Sequence, residues 1–381
     1  MEGTTVSRAM KNIYSPLFIE QAQDEAQDEP QTAKQPPDHA DPGETVAEYL
    51  LERSAEFRRV SAIRQKGWDS PEGDVYFRQL RKAADEADEN SAPFFYKLMR
   101  NLGNELHQST NAFAIRRPHP WEPRGRARIL DMCMAPGGFL ATALDKNPRA
   151  EALAFSLPIS AGGHTVLVPS SKTVEQRFLD ITMLARDMGV EDIPEDHPDA
   201  GNFLPRQFEP DDLFDLVLCD GQVLRIHPRA PYRENREAKR LSFTQLALGL
   251  EHLRPGGTMI VLLHKIEAWD NVNLIWKFHQ FSSVRIVKPK RGHAKRSSFY
   301  MVATNIRSRH PQAIQEINNW KRVWKVATFG SDDEYERVLL EGNVGVNELL
   351  EEFGPKLIDH GTGIWRIQAD ALEKAPFIQR K

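Results

Sequence analysis

Two periodicities divide the chain. Between residues 44 and 107, and again after 310, apolar positions recur every three or four residues, the spacing of helices with one buried face. Between 127 and 303 they gather into short, almost wholly apolar runs, the pattern of strands covered on both faces. Residues 44–68 read as one amphipathic helix through Val46, Tyr49, Leu50, Phe57 and Val60. A second helix is predicted from Ser70-Pro71-Glu72, with serine as the cap and proline in the first turn. A third spans about 93–107, with Leu98, Leu102 and Leu106 on one stripe, and the proline-rich residues 116–125 read as a linker. Strands are predicted at 127–133, 151–157, 176–181, 213–220, 258–264, 284–288 and 298–303. Helices are expected at 139–144, 238–253 and 271–281, and Ile314, Ile317, Trp320 and Trp324 form the stripe of another. Alternating strands and helices imply an α/β fold with a mostly parallel sheet. The last two strands have too short a connection for a helical crossover, so they are expected to form an antiparallel hairpin at the sheet edge.

Composition sharpens this picture. The 381 residues carry 50 Lys and Arg against 54 Asp and Glu, a net charge of −4 that on its face argues against nucleic acid. The charge is unevenly placed. Residues 20–44 hold eight acids, one lysine and no aliphatic side chain larger than alanine, so they read as a disordered acidic tail with a balance of −7. Residues 1–19 add +1, which leaves +2 for residues 45–381. Residues 271–315 contain nine Lys and Arg and no acid. The longest apolar run, Met259 to Leu263, is far below the roughly 20 residues of a membrane helix. No secretory signal is visible, and Cys133 and Cys219 alone build neither a disulfide scaffold nor a cysteine-rich zinc site. The expectation is an intracellular protein, in nucleus or cytoplasm, with no membrane and no metal partner. The domain reading is an acidic tail at 1–44, a helical extension at 45–120, a sheet domain at 121–306 and a second helical extension at 307–381.

The segment richest in chemistry is Asp131-Met-Cys-Met-Ala135-Pro136-Gly137-Gly138-Phe139. A Gly-Gly pair between a strand and a helix lets backbone approach a ligand beside a helix N-terminus, and it equally serves a tight turn. It is not the G-x-G-x-x-G dinucleotide fingerprint. D-x-x-x-A-P-G-G-F resembles the S-adenosylmethionine loop of FtsJ/RrmJ-type ribose 2′-O-methyltransferases. Further parts of the resemblance follow in order over residues 94–306: Phe94-Phe95-Tyr96-Lys97-Leu98; Phe214 to Asp220; Pro255-Gly256-Gly257 and the strand ending at Lys265; Lys288-Pro289; and Arg296-Ser297-Ser298-Phe299-Tyr300. The resemblance implies a Rossmann-like methyltransferase fold with a seven-stranded sheet and S-adenosylmethionine as cofactor. It implies a catalytic set carried over onto Lys97, Asp220 and Lys265. The fourth position of that set, glutamate in the family, falls at Ser298, and a serine cannot neutralise a lysine. Glu267, two past Lys265, is a nearby acid in sequence.

For the cofactor, the resemblance implies Asp131, Ala135, Pro136, Gly137, Gly138 and Phe139, with Asp220 at the fourth strand's end. Ser156 and Leu157 follow the second strand, where many nucleotide-binding sheets carry an acid. Their lack of one resembles the cap-directed members more than the bacterial ribosomal type. Asp180, with Ile181, is the candidate for the adenine amino group. Arg225, Arg229 and Arg233 follow Asp220, and Lys288, Lys290, Arg291, Lys295 and Arg296 flank the closing hairpin. Two basic loops beside one cleft fit a phosphate track, so RNA is the expected partner. A binding scaffold without turnover, and a methyltransferase of a small molecule, are the alternatives that Ser298 leaves open.

Overall fold

The computed structural model describes residues 41–85, 89–115, 125–224, 226–341 and 344–379. Most of the expected acidic tail, the linker at 116–124 and Arg225 therefore lie outside the described residues.

The sheet is built from β1 (Arg128–Asp131), β2 (Glu151–Ser156), β3 (Val174–Phe178), β4 (Phe214–Cys219), β5 (Leu253–His264), β6 (Ser283–Val287) and β7 (Ser298–Ile306), in the order β3-β2-β1-β4-β5-β7-β6. β1 to β5 pair in parallel. β7 runs antiparallel to both β5 and β6. The hairpin is thus at the edge as expected, but its second strand is threaded inside its first, and β6 is outermost. Strand order reverses between β1 and β4, so a crevice opens beyond their carboxyl ends.

Ten helices of eight residues or more surround the sheet among the described residues: α1 (Pro42–Arg53), α2 (Ala55–Trp68), α3 (Pro71–Asp85), α4 (Ala92–Thr110), α5 (Gly138–Lys146), α6 (Glu237–Glu251), α7 (Trp269–Phe281), α8 (Pro311–Phe329), α9 (Asp332–Leu340) and α10 (Val346–Leu372). Both sheet faces are buried. Phe214, Val217 and Cys219 of β4 join one apolar cluster with α1, α2, α6, α7, α8 and α10. Leu216 and Leu218 of the same strand join the other, with α4 and α5. The terminal helices therefore pack on the sheet domain rather than standing apart from it.

Several boundaries differ from the sequence reading, each for a local reason. The single helix expected at 44–68 breaks at Ser54, which is extended and caps α2 by accepting from Phe57 N at 3.2 Å. Residues 42–44, placed in the tail, form the first turn of α1, capped by Asp41. β3 ends at Phe178 because Asp180 caps a one-turn helix, accepting from Thr182 N at 2.9 Å. β5 starts at Leu253, which pairs with Phe214, and the Pro255-Gly256-Gly257 segment is absorbed in a register shift instead of ending the element. On α8 the buried stripe is Ala313, Ile317, Trp320 and Trp324, while Ile314 is exposed.

Candidate functional site

A cleft of about 1100 Å³, open to solvent, lies over the crevice at the β1/β4 switch. Its walls come from the ends of β1 to β4, from α4, and from the β7 side. Ala135, Phe139, Ser156, Leu157, Asp180, Ile181 and Asp220 of the expected site residues line it. So do Leu98 and Tyr300, which stood in the quoted motifs without an assigned role, and Met99, His164, Thr182, Gln222, His227, Glu237 and His293, which lay outside them.

The glycine loop is a packing device. Gly137 has φ 104°, a left-handed conformation suited to glycine, and a Cβ there would meet Val168 Cγ2 at 2.3 Å. A Cβ on Gly138 would come within 2.5 Å of Met99 Cβ and of the Tyr96 carbonyl, so this glycine lets α4 lie across the start of α5. Pro136 accepts from Leu167 N at 2.9 Å, under a strap formed by residues 157–168. Pro136, Gly137 and Gly138 are buried beneath these partners; Ala135 and Phe139 are the loop residues facing the cleft.

Two buried carboxyl groups meet at the switch point. Asp131 ends β1 and Asp220 follows β4; Asp131 Oδ1 accepts from Cys133 N at 3.2 Å. Asp131 Oδ2 and Asp220 Oδ1 are buried without a hydrogen-bond partner among the described residues. Burial pushes Asp220 up to about 7. Burial, and then the neighbouring Asp220 charge, push Asp131 well above the usual carboxylate range. Unpartnered buried carboxylates are costly, so this pair is a built receptor for donors or for positive charge. The sign of its effect on stability follows. Asp220 binds a proton more tightly folded than unfolded, so its contribution is complete below about 4 and is lost as pH rises through about 7. The ligand-free protein is expected to melt at a lower temperature at pH 8 than at pH 5.5 on this account, and Asp220→Asn is expected to flatten that slope in a thermal scan.

Beyond β3, Asp180 sits in a second network. Arg233 donates to Asp180 Oδ2 at 2.7 Å and to Glu237 Oε1 at 2.5 Å, and Arg240 donates to Glu237 Oε2 at 2.7 Å. Burial alone would raise Glu237, but the bonds and charges of Arg233 and Arg240 hold it down at about 2. Asp180, His227 and Glu237 bring potential ligand atoms within 4.8 Å of one another. Arg233 already engages both carboxylates of that trio, so the positive charge there is a guanidinium.

None of the remaining expected residues Lys97, Lys265 and Ser298 lines the cleft. Lys97 is exposed on α4 and does not line the cleft, although its neighbours Leu98 and Met99 do. Lys265 is half-buried just past β5, at the same sheet edge as Asp220, with φ 50°, a left-handed conformation that costs a non-glycine residue roughly 1–2 kcal/mol. Its neighbour His264 has Nε2 3.1 Å from Oε1 of Gln222 in the cleft wall. Ser298 is fully buried opposite His264, and its carbonyl accepts from Lys288 Nζ at 2.8 Å. Glu267 does not supply the missing acid, because its carboxylate is bonded to Arg64 and to Trp365 Nε1.

The basic residues proposed to follow a phosphate track are mostly committed elsewhere. Arg233, Lys288 and Arg296 are buried, at 4%, 4% and 8% exposure. The Arg229 side chain is enclosed and pairs with Glu234 at 3.3 Å. Lys295 lies over the Tyr76 ring at 5.2 Å. Lys290 and Arg291 alone of the described set are exposed, on a one-turn helix, Lys290–His293, whose His293 lines the cleft. Of the cysteines, Cys219 is buried in the core, while Cys133 lines the cleft.

Comparison with known proteins places this geometry. The model of the FtsJ-like methyltransferase family matches residues 106–306. Two curated relatives, both named ribosomal RNA small subunit methyltransferase B, come from strains of Klebsiella pneumoniae. One is 28% identical over 165 residues, and the match covers 41% of this chain and 34% of the relative. The second is 28% identical over 166 residues with the same coverage. The chain therefore matches about a third of the length of these relatives. Among solved structures, human methyltransferase-like protein 13 in complex with SAH overlaps 63% of this chain and 95% of its own, at 14% identity and a TM-score of 0.32. TrmN from Thermus thermophilus overlaps 54% and 48%, at 15% identity and a TM-score of 0.30.

Proposed function

The chain belongs to the FtsJ-like methyltransferase family, and from that premise we propose that it transfers a methyl group from S-adenosylmethionine to a ribose 2′-hydroxyl of RNA. The observation that carries this reading is that Asp220 and Lys265 follow the carboxyl ends of the neighbouring parallel strands β4 and β5, with Asp220 lining the cleft and, like Asp131 beside it, keeping a carboxyl oxygen without a hydrogen-bond partner. The cofactor supplies a methyl group on a positively charged sulfur, open to in-line attack by an oxygen nucleophile.

The residues present fit such a ligand. Asp131 and Asp220 would receive donors and positive charge at the switch point. Asp180, with acceptor capacity left beside Thr182 and Arg233, would take the adenine amino group, between Ile181 and the Ser156-Leu157 turn. Ala135 and Phe139 would close the side of the cleft facing β7, where Phe139 meets Tyr300 at 5.5 Å between ring centres.

A ribose hydroxyl is a weak nucleophile at neutral pH, and its proton must leave as the oxygen attacks. Lys265 would stabilise the developing negative oxygen or accept its proton, with the Asp220 carboxylate orienting the ammonium. Much of the acceleration would come from holding the reacting atoms in line. Asp220 near 7 makes this sensitive to pH, since the carboxylate that attracts positive charge is present above that value. S-adenosylmethionine is therefore expected to bind more tightly at pH 8 than at pH 6, by a factor larger than that for S-adenosylhomocysteine, which lacks the sulfonium charge. Calorimetry with both ligands checks this; equal pH dependence counts against the role given to Asp220.

For the RNA, Lys290 and Arg291 are the exposed cations next to the cleft wall. The paired change Lys290→Glu with Arg291→Glu is expected to weaken RNA binding by roughly tenfold at about 0.1 M salt and to shallow its salt dependence. Filter binding across a salt series reads both. Transfer of labelled methyl groups to capped, ribosomal and transfer RNAs tests the function itself. A second reading, a cofactor-binding scaffold, is favoured by the buried Ser298 and the exposed Lys97; it predicts cofactor binding with no transfer to any of these RNAs.

A further inference from the structure

We propose that the two helical extensions form a clamp that sets the position of Lys265, with Glu267 as the positioning residue that transmits it. The inference rests on the role given to Lys265 above and goes beyond it by assigning work to the extensions.

Four observations converge. First, Glu267 lies two residues beyond Lys265, yet its carboxylate turns away from the cleft to pair with Arg64 of α2 and accept from Trp365 Nε1 of α10 at 3.2 Å. Helices from opposite ends of the chain therefore grip one loop residue. Second, Gln368, three residues after Trp365 and so on the same face of α10, accepts from Arg64 Nη2 at 2.6 Å. Its amide also donates to Ser297 Oγ at 3.3 Å and to the Lys295 carbonyl at 3.4 Å, so the same face holds the segment leading into Ser298. Third, that segment holds Lys265 directly, because Lys265 N donates to the Ser297 carbonyl at 3.3 Å. Fourth, the Lys265 carbonyl accepts from Ala268 N at 2.8 Å and from Asn271 Nδ2 at 3.1 Å. These bonds close a tight turn around a left-handed lysine.

A residue in that conformation stays there only where its surroundings over-determine it. Here the determinants are Glu267 on one side and Ser297 on the other, and both are secured by α2 and α10. Arg64 and Glu267 are about 10% exposed, so their pairing is shielded from solvent. The packing of α2 on α10 does not depend on this pair, since Phe57 and Trp365 meet at 5.0 Å between ring centres and Arg59 binds Asp370 and Glu373 at the surface. No member of the clamp lines the cofactor cleft. It can therefore act on Lys265 without acting on cofactor affinity.

The test compares the full-length protein with Glu267→Gln, Arg64→Met and the double variant. Arg59→Ala serves as the control, because it joins the same two helices without touching the loop. Glu267→Gln and Arg64→Met are each expected to slow single-turnover methyl transfer roughly 10- to 100-fold, as small misplacements of a reacting group do. Cofactor Kd and the KM for RNA are expected to stay within about twofold of wild type. The double variant should be no slower than the slower single, since both break one unit. Hydrogen exchange at the Lys265 and Ala268 amides should quicken in these variants and not in Arg59→Ala. Wild-type exchange rates there in Glu267→Gln, or an equal loss of activity in Arg59→Ala, overturn the clamp. If wild type itself methylates no RNA, the reading of Lys265 fails, while the exchange measurement still decides whether the clamp holds the loop.

Discussion

Lys265→Ala is expected to lower methyl transfer by about 10²- to 10⁴-fold, the range that a positioned acid–base group commonly supplies. Cofactor affinity is expected to change by no more than about twofold, because Lys265 does not line the cleft. Asp220→Asn should differ in kind. Asp220 faces the cleft with one oxygen unpartnered, so asparagine removes both the charge that would orient Lys265 and the charge that would attract the cofactor. Rate and affinity are then expected to fall together. Calorimetry for the cofactor and single-turnover transfer for the rate separate the two variants. A Lys265→Ala protein with the wild-type rate would remove lysine from the mechanism.

The second large effect is on the fold. Glu237→Ala is expected to destabilise the protein by about 3–5 kcal/mol, the usual consequence of removing one partner from a buried ion pair. Glu237 is 2% exposed and is the carboxylate that Arg233 and Arg240 share, and those arginines are 4% and 0% exposed. Without it two guanidinium groups stay enclosed, and Arg233 keeps Asp180 as its nearest acceptor, withdrawing that carboxylate from adenine. Cofactor affinity should drop with the melting temperature. Glu237→Gln, which keeps the shape and an acceptor oxygen, is expected to lose less of both. Differential scanning calorimetry with and without cofactor makes the comparison, and an Ala variant that melts like wild type would contradict the network.

The inner strands β1, β2, β4, β5 and β7 were legible because each is buried on both faces and so reads as an apolar run between turn residues, whereas the edge strands β3 and β6 are half-exposed and β3 was placed two residues late. The threading of β7 inside β6 was not legible, since a short connection specifies antiparallel pairing and not which strand lies outside. The site was legible where chemistry sits at strand ends: Asp131, Asp180 and Asp220 all lie at the sheet's carboxyl edge. It was misread where charge was counted without partners. Arg233 looked like a phosphate contact, but Glu237 stands four residues on and Arg240 three beyond that, the spacing of ion pairs on one helix face, and this was the available signal. Lys288 and Arg296 gave no such sign, because Lys288 Nζ is held by backbone carbonyls of Arg296 and Ser298, which every residue carries. Lys97 matched a motif, yet Leu98 and Met99 are the residues whose helical phase turns them into the cleft. The role of Glu267 depends on Arg64 and Trp365, far away in sequence, so no local pattern announces it.

The measurement that bears most directly on the central claim is nucleoside analysis of RNA methylated by the protein with labelled S-adenosylmethionine. Digestion to nucleosides separates methyl groups on ribose from those on bases. The account predicts label in a 2′-O-methylnucleoside, abolished by Lys265→Ala. Label confined to a methylated base, or incorporation that survives Lys265→Ala unchanged, would contradict it.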